Sequence, residues 1–267
     1  MSAAVVIGGA GGIGIAAARA IARDGLPVTI ADLDPEAGEA AAAQLLAEGH
    51  SAGFRQVDIR AAESIAALAE SAEERFGPVD RLVNSAGIIT PVSTSRAQPT
   101  ALHDDVHAVN YRGLYLACRE FGWRMAAAGS GAIVNIASTA GLRPIPAPAY
   151  VTSKYAVVGA TEFFAAELGP RGVRVNAVAP TYTMTKPILD RIESGHRSRA
   201  AIRDQSALKI LVTPEQVAAC IRFLLSDEAS AVTGVTLPVD AGWRVSLSYE
   251  SLEAPLIDLD DAAQGTR

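Results

Sequence analysis

Residues 5–14 read Val5-Val6-Ile7-Gly8-Gly9-Ala10-Gly11-Gly12-Ile13-Gly14, and this stretch decides the fold. Backbone N–H groups and the positive end of a helix bind a diphosphate when no Cβ stands in the way. Glycine permits that close approach and the tight turn it needs. A glycine-rich turn alone is weak support, because glycines also form ordinary turns. Its position after an apolar strand and before an alanine-rich helix predicts a dinucleotide site that includes Gly8, Gly11, Gly12, Ile13 and Gly14.

A carboxylate ends the second apolar run. Asp32 lies 18 residues after Gly14, close to the spacing of about 20 at which such folds place a ribose-binding acid. It would accept hydrogen bonds from a ribose diol and repel a 2′-phosphate, and the next residues, Leu33 and Asp34, add no cation. The sequence therefore predicts NAD rather than NADP, held by Asp32 and Leu33. The alternative is that Asp32 only begins a turn toward Asp34.

A second carboxylate, Asp58, ends the third apolar run. We expect Asp58 and the neighbouring Ile59 to lie near the adenine, with Asp58 placed to meet the adenine amino group. An ordinary surface carboxylate is the alternative.

Short runs rich in Val and Ile alternate with longer helical stretches. The candidate strands are Ala3–Gly8, Pro27–Asp32, Ser51–Asp58, Arg81–Asn84, Ala132–Ala137, Arg174–Ala179 and Gly234–Val239. The candidate helices lie near 12–23, 35–48, 61–76, 100–128, 149–168 and 213–225. Apolar runs without polar alternation are typical of parallel strands covered on both faces. This order predicts an α/β fold, a Rossmann-like doubly wound sheet of about seven parallel strands with helices on both faces.

The chain is expected to form one domain. Residues 1–245 would bind the dinucleotide and carry the catalysis, with 181–211 as a substrate lid because this connection is long. Residues 246–267 would form an acidic C-terminal extension.

Composition and net charge limit the kinds of binding partner that we expect for this chain. The chain has 267 residues, of which 49% are apolar, and its net charge is −6. This mild acidity gives no electrostatic reason to expect nucleic acid or an anionic membrane as a partner. Cys118 and Cys220 fit buried thiols, and the four scattered histidines lack metal-ligand spacing, so no metal is expected. No basic segment precedes the first apolar run, and the expected location is cytoplasmic.

The sharpest chemical signal is Tyr150-Val151-Thr152-Ser153-Lys154, since residues i and i+4 share one face of a helix. Taking hydride from an alcohol also requires that its hydroxyl proton leave. A free tyrosine has a pKa near 10, and a neighbouring ammonium is expected to lower it. Ser138, at the end of the fifth strand, would hold the substrate oxygen as charge develops, with Thr139 as a rival. An ordinary surface pair on a helix is the alternative for Tyr150 and Lys154.

These motifs, with Asn84-Ser85-Ala86-Gly87, Asn110 and Pro180–Thr185, stand in an order that resembles the short-chain dehydrogenase/reductase family from Ala3 to about Trp243. The resemblance implies that Tyr150 is the acid/base, that Lys154 lowers its pKa and binds the nicotinamide ribose, and that Ser138 binds the substrate oxygen. It implies that Asn110 holds a water in a proton relay.

The resemblance also implies further cofactor contacts. Asn84, Ala86 and Gly87 would line the adenosine side and brace the sheet. The segment from Pro180 would meet the nicotinamide carboxamide through Thr183 and Thr185. Three residues differ from the family pattern, and none of them is a proposed proton-transfer residue. They are Ile7, Ser85 and Thr181. A homotetramer is the family's usual assembly.

The leading prediction is an NAD-dependent oxidoreductase that moves a hydride between the nicotinamide and the carbon of a secondary alcohol or ketone. A polyol, sugar, sugar acid, hydroxy or oxo acid, or cyclic alcohol remains open as the small-molecule substrate. Cations outnumber anions in 181–211. This excess would bind an anionic substrate, or it would consist of solvated charges on the surface of the lid. The alternatives are a 3-oxoacyl-thioester reductase of the same family, a nucleotide-sugar epimerase or dehydratase, and a non-catalytic dinucleotide sensor.

Overall fold

The computed structural model describes residues 2–250 and contains one sheet of seven strands, all parallel, in the order β3-β2-β1-β4-β5-β6-β7. The strands are β1 Ala3–Ile7, β2 Val28–Asp32, β3 Ala52–Gln56, β4 Val79–Asn84, β5 Gly131–Ile136, β6 Val173–Pro180 and β7 Thr236–Val239. The predicted α/β doubly wound sheet is confirmed. Chain order reverses direction between β1 and β4, which opens the crevice where such sheets bind ligands.

Ten α-helices connect and flank the strands in this part of the chain. They are α1 Gly12–Arg23, α2 Pro35–Ala47, α3 Ala62–Phe76, α4 Thr100–His107, α5 Leu114–Ala128, α6 Pro148–Leu168, α7 Lys186–Glu193, α8 Arg199–Asp204, α9 Pro214–Leu225 and α10 Trp243–Glu250. Helix starts follow their chemistry. The Asp34 carboxylate accepts the N–H groups of Glu36 and Ala37 at the start of α2, and Thr213 and Gln216 form a capping box at the start of α9.

Successive side chains of β1 enter two different apolar layers. Val5 and Ile7 pack in the layer that contains α3, α5 and α6, whereas Ala4 and Val6 pack in the layer of α1, α2 and α9. Every residue of β1 is buried. A strand covered on both faces needs no polar alternation, which is why its sequence is an unbroken apolar run. Within residues 2–250, no helix is both long enough and apolar enough to span a bilayer.

The helix predicted as one unit over 100–128 is divided. A π-helical turn at Ala108–Gly113 separates α4 from α5. Gly113 in this turn packs so tightly on Ile59 that an added Cβ would lie 2.6 Å from its Cγ1. The turn therefore shifts α5 in phase relative to α4, a change that hydrophobic periodicity does not reveal.

The long connection after β6 carries α7 and α8. Its two ends are held together, because the Met184 N–H donates to the Val212 carbonyl at 2.9 Å. Helix α10 packs on this connection through a hydrogen bond from Trp243 Nε1 to Gln205 Oε1 at 3.2 Å. Residues 246–250 belong to α10, and residues 251–267 of the expected extension lie outside the described part. The division into domain, lid and extension stays a prediction.

Candidate active site

A cavity of about 630 Å³ opens at the carboxyl ends of the strands, a volume within the range usual for small-molecule sites. Most residues expected from the sequence line it: Gly8, Gly11, Gly12, Ile13, Asp32, Leu33, Asp58, Ile59, Ala86, Gly87, Ser138, Tyr150, Lys154, Pro180, Thr183 and Thr185. Gly14, Asn84 and Asn110 do not line the cavity. The fold therefore brings both expected ends of the site, glycine loop and Tyr150/Lys154 pair, to one cavity.

The glycine loop is shaped by close backbone approaches. Gly8 has φ +74°, and a Cβ there would lie 2.4 Å from the Ala86 nitrogen. A Cβ at Gly14 would lie 2.0 Å from the Gly8 carbonyl oxygen, so the first turn of α1 sits directly on the loop. At Gly11, the N-cap of α1, a Cβ would meet nothing within 4 Å. The loop thus presents a bare helix N-terminus to the cavity, which fits the diphosphate of a dinucleotide.

Two carboxylates line the cavity near this loop. Asp32 accepts a hydrogen bond from the Ala10 N–H at 3.1 Å, so it is held against the glycine loop at the end of β2. Asp58 pairs with Arg60 at 2.7 Å, and this hydrogen-bonded guanidinium lowers the pKa of the Asp58 carboxyl. Asp58 is therefore engaged by Arg60, two residues further along the chain, a pairing that was not among the sequence-based expectations.

Tyr150 and Ser138 meet in the cavity. Tyr150 lies in the first turn of α6, which begins with Pro148 at a position where its missing N–H costs nothing. Its phenol is hydrogen-bonded with the Ser138 hydroxyl, which also accepts the Ala140 N–H at 3.1 Å. The rival Thr139 instead donates to the Pro180 carbonyl at 3.4 Å. The geometry favours Ser138 over Thr139 as the hydroxyl next to the phenol.

Lys154 is buried one helical turn beyond Tyr150. Its Nζ donates to the Ile136 carbonyl at 2.7 Å and lies 5.8 Å from the centroid of the Tyr150 ring. Burial lowers the pKa of Lys154 to about 8. Gly141 makes this position possible, since a Cβ there would lie 2.6 Å from the Lys154 carbonyl oxygen.

The expected lowering of the Tyr150 pKa is wrong for the protein by itself. Burial of the phenol raises its pKa, and the hydrogen bond with Ser138 only partly opposes the rise. The physical reason is that the Lys154 ammonium is directed at the Ile136 carbonyl, while the phenol has lost its contact with water.

Comparison with known proteins identifies the family. The family model described as Enoyl-(Acyl carrier protein) reductase matches residues 8–244. The chain is 39% identical to D-threitol dehydrogenase of Mycolicibacterium smegmatis, over 91% of this chain and 92% of that protein. The chain belongs to the short-chain dehydrogenase/reductase family. It is also 38% identical to cis-4-hydroxycyclohexanecarboxylate dehydrogenase of Sinomonas cyclohexanicum, over 90% of this chain and 95% of that protein.

A solved structure supports the same family. Actinorhodin polyketide ketoreductase with NADPH superposes with a TM-score of 0.86 at 31% identity, over 91% of this chain and 97% of that one. Together these matches support an oxidoreductase that acts on secondary alcohols with a nicotinamide dinucleotide.

Two asparagines of this short-chain dehydrogenase/reductase support the cavity from behind. Asn110 accepts the Ile88 N–H at 2.7 Å and donates to the Ile88 carbonyl and to Ser153 Oγ, so its amide fixes the segment after β4. Asn84 donates to Asn135 Oδ1 at 2.9 Å and joins β4 to β5. Both are buried. Their amides act on neighbouring backbone and side chains in this structure, and the expected water relay at Asn110 stays a prediction.

Several lining residues were not singled out from the sequence. They are Arg60, Ile89, Val92, Ile145, Tyr182, Arg191, Arg197 and Trp243. For Arg191 and Arg197 a signal existed in the cationic excess of 181–211, but only the fold shows which of those cations reach the cavity. Among the described side chains of residues 2–246, no three from His, Cys, Asp or Glu gather in a way suited to a metal ion.

Proposed function

We propose that this chain is an NAD-dependent dehydrogenase that interconverts a secondary alcohol and the corresponding ketone. The observation that carries the proposal is that Ser138, Tyr150 and Lys154 face the same cavity as the glycine loop and Asp32. A protein that only sensed a dinucleotide would not need a phenol, a hydroxyl and a buried ammonium together beside its nicotinamide end.

The reaction separates one hydride and one proton. NAD⁺ bound in the cavity would accept the hydride, so that alcohol and NAD⁺ give ketone, NADH and a proton. Tyr150 would take the hydroxyl proton, and Ser138, already hydrogen-bonded with the phenol, would hold the substrate oxygen beside it. Lys154 is largely an ammonium at neutral pH because its pKa is about 8. We expect this charge to favour the phenolate over the phenol only when dinucleotide and substrate are bound, because in the protein by itself the ammonium is directed at the Ile136 carbonyl and burial raises the pKa of Tyr150.

Asp32 supports the choice of NAD. Its carboxylate is fixed at the glycine loop, where it would accept a hydrogen bond from a ribose hydroxyl and repel a 2′-phosphate. The five cations that line the cavity are Arg60, Lys154, Lys186, Arg191 and Arg197, and none of them belongs to the loop or to the residues next to Asp32. Asn110 is proposed as a positioning residue, through its hydrogen bonds to Ile88.

The proposed substrate class rests on the compounds named for two relatives and on the side chains that line the cavity of this protein. D-threitol and 4-hydroxycyclohexanecarboxylate, the compounds in the names of two relatives, both carry secondary hydroxyls. Apolar side chains of Ile89, Val92 and Ile145 line the cavity in this protein, so a carbon skeleton can be desolvated beside the hydroxyl pair.

The test is a panel of polyols, sugar acids, hydroxy acids and cyclic alcohols, each incubated with the protein and either NAD⁺ or NADP⁺ while absorbance is followed at 340 nm. We expect reduction of NAD⁺ with a subset of secondary alcohols, at a kcat/KM at least tenfold above that with NADP⁺. Absence of turnover with every alcohol, while NADH binds, would contradict the catalytic proposal and favour a sensor.

A further inference from the structure

Two guanidinium groups at the cavity have no acidic partner among residues 2–246, whose side chains the structure describes. Arg191 and Arg197 both line the cavity, and neither forms an ion pair with a described carboxylate. Each of the other cations that line the cavity has a hydrogen-bond or ion-pair partner. Arg60 pairs with Asp58, Lys186 pairs with Asp190, and Lys154 donates to a backbone carbonyl.

The turn between α7 and α8 brings these two arginines together. The Arg197 N–H donates to the Arg191 carbonyl at 3.0 Å, and Ser194 Oγ donates to the same oxygen at 3.3 Å. Gly195 has φ +77°, a conformation that favours glycine and closes the turn. The Arg197 guanidinium lies 5.7 Å from the ring centroid of Tyr182, another lining residue. The backbone hydrogen bonds thus fix the turn that carries both arginines, and the cation–π contact with Tyr182 holds the Arg197 side chain on the cavity wall.

Both arginines are partly buried. The acidic side chains that line the cavity are Asp32 and Asp58, which lie at the ends of β2 and β3 and are engaged there. The part of the cavity beside α7 is therefore positive in a protein of net charge −6. A guanidinium group binds carboxylates and phosphates through planar, charge-assisted hydrogen bonds.

We propose that the alcohol substrate carries an anionic group, a carboxylate or a phosphate, which Arg191 and Arg197 bind while the hydroxyl meets Ser138 and Tyr150. This inference rests on the proposed function, because it names the substrate class of the same site. It selects among the open substrates, favouring sugar acids, hydroxy acids and phosphorylated polyols over neutral polyols and neutral cyclic alcohols.

The test measures binding to the NADH-saturated protein by isothermal titration calorimetry, which needs no turnover. The first probe series shares one skeleton and compares D-threitol, threonate and D-threitol phosphate. The second compares 4-hydroxycyclohexanecarboxylate with its methyl ester. The variants are Arg191→Gln, Arg197→Gln and the double variant. Arg199→Gln is the matched control, because Arg199 is an exposed arginine of the same connection that does not line the cavity.

We expect at least one anionic probe to bind tenfold or more tightly than its neutral counterpart. The double variant should abolish this preference, each single variant should reduce it, and Arg199→Gln should keep it. Comparison of threonate with D-threitol phosphate shows which anion the pair accepts. Affinity for NADH should change less than threefold in every variant.

Three results would overturn the inference. They are equal or tighter binding of the neutral probes, no binding of any anionic probe, and a tenfold loss of NADH affinity in the double variant, which would assign the arginines to the phosphates of the dinucleotide. Failure of the proposed function is a separate result, since it is read from absent turnover at 340 nm while the calorimetric preference for anions is measured independently.

Discussion

We expect the buried ammonium of Lys154 to destabilise the folded protein, and replacement of this residue should reveal the size of the effect. Burial lowers its pKa from 10.5 to about 8. At about 1.4 kcal/mol per pKa unit, the buried ammonium costs about 3 kcal/mol at neutral pH. Methionine has a similar length and no charge, but it leaves the Ile136 carbonyl without its side-chain donor. We therefore expect Lys154→Met to be more stable than the wild type by about 1–3 kcal/mol at pH 7 while losing turnover.

The difference in stability between the wild type and Lys154→Met should depend on pH. Between about pH 8 and pH 10.5 the unfolded chain still holds the Lys154 proton that the folded protein has released. Wild-type stability should therefore rise with pH through this window relative to Lys154→Met. The advantage of the variant is complete below about pH 8 and is lost above about pH 10.5.

Thermal unfolding without added dinucleotide, followed at pH 7 and pH 10, is the assay. Lys154→Met should melt several degrees above the wild type at pH 7, since about 1 kcal/mol corresponds to roughly 2–4 °C for a chain of this size. Lys186→Met is the matched control, because Lys186 is exposed and pairs only with Asp190 at the surface. A variant that melts at or below the wild type at pH 7, with a difference unchanged at pH 10, would refute the reasoning.

Three further tests, two of them with a control substitution, address other parts of the site. Asp32→Ala removes the carboxylate at the glycine loop, so the ratio of kcat/KM for NAD⁺ to that for NADP⁺ should fall at least tenfold; an unchanged ratio would refute the role of Asp32. Gly14→Ala places a Cβ 2.0 Å from a loop carbonyl oxygen, so the Kd for NADH should rise tenfold or more. Gly159→Ala, where a Cβ meets nothing within 4 Å, should leave that Kd unchanged, and equal effects of the two would contradict the account of the loop. Ser138→Ala should lower kcat about 100-fold or more, whereas Thr139→Val should lower it less than fivefold, and the reverse order would give the role to Thr139.

The sheet could be predicted from the sequence because its strands are short apolar runs that can be recognised locally. The buried run of β1 and the glycines after it admit few structures other than a strand and a tight turn before a helix. Asp32, Tyr150 and Lys154 could be placed at one cavity for a related reason. A position at the end of a strand, or a spacing of one helical turn, fixes where a side chain points.

Other features depend on contacts between distant residues. The π-helical turn at 108–113 reflects packing of Gly113 on Ile59, and no local pattern encodes it. The raised pKa of Tyr150 follows from burial and from the direction of the Lys154 ammonium, both of which arise only in the folded chain. The same holds for Arg191 and Arg197, whose relevance depends on which cations of 181–211 line the cavity and form no ion pair with the carboxylates of residues 2–246.

Turnover and dinucleotide binding by Tyr150→Phe test the central claim most directly, because this change removes one oxygen atom and leaves the ring. The account predicts that NADH binds with a Kd within threefold of the wild type while kcat for the preferred alcohol falls at least 1,000-fold. A kcat within a few-fold of the wild type would contradict the assignment of proton transfer to Tyr150.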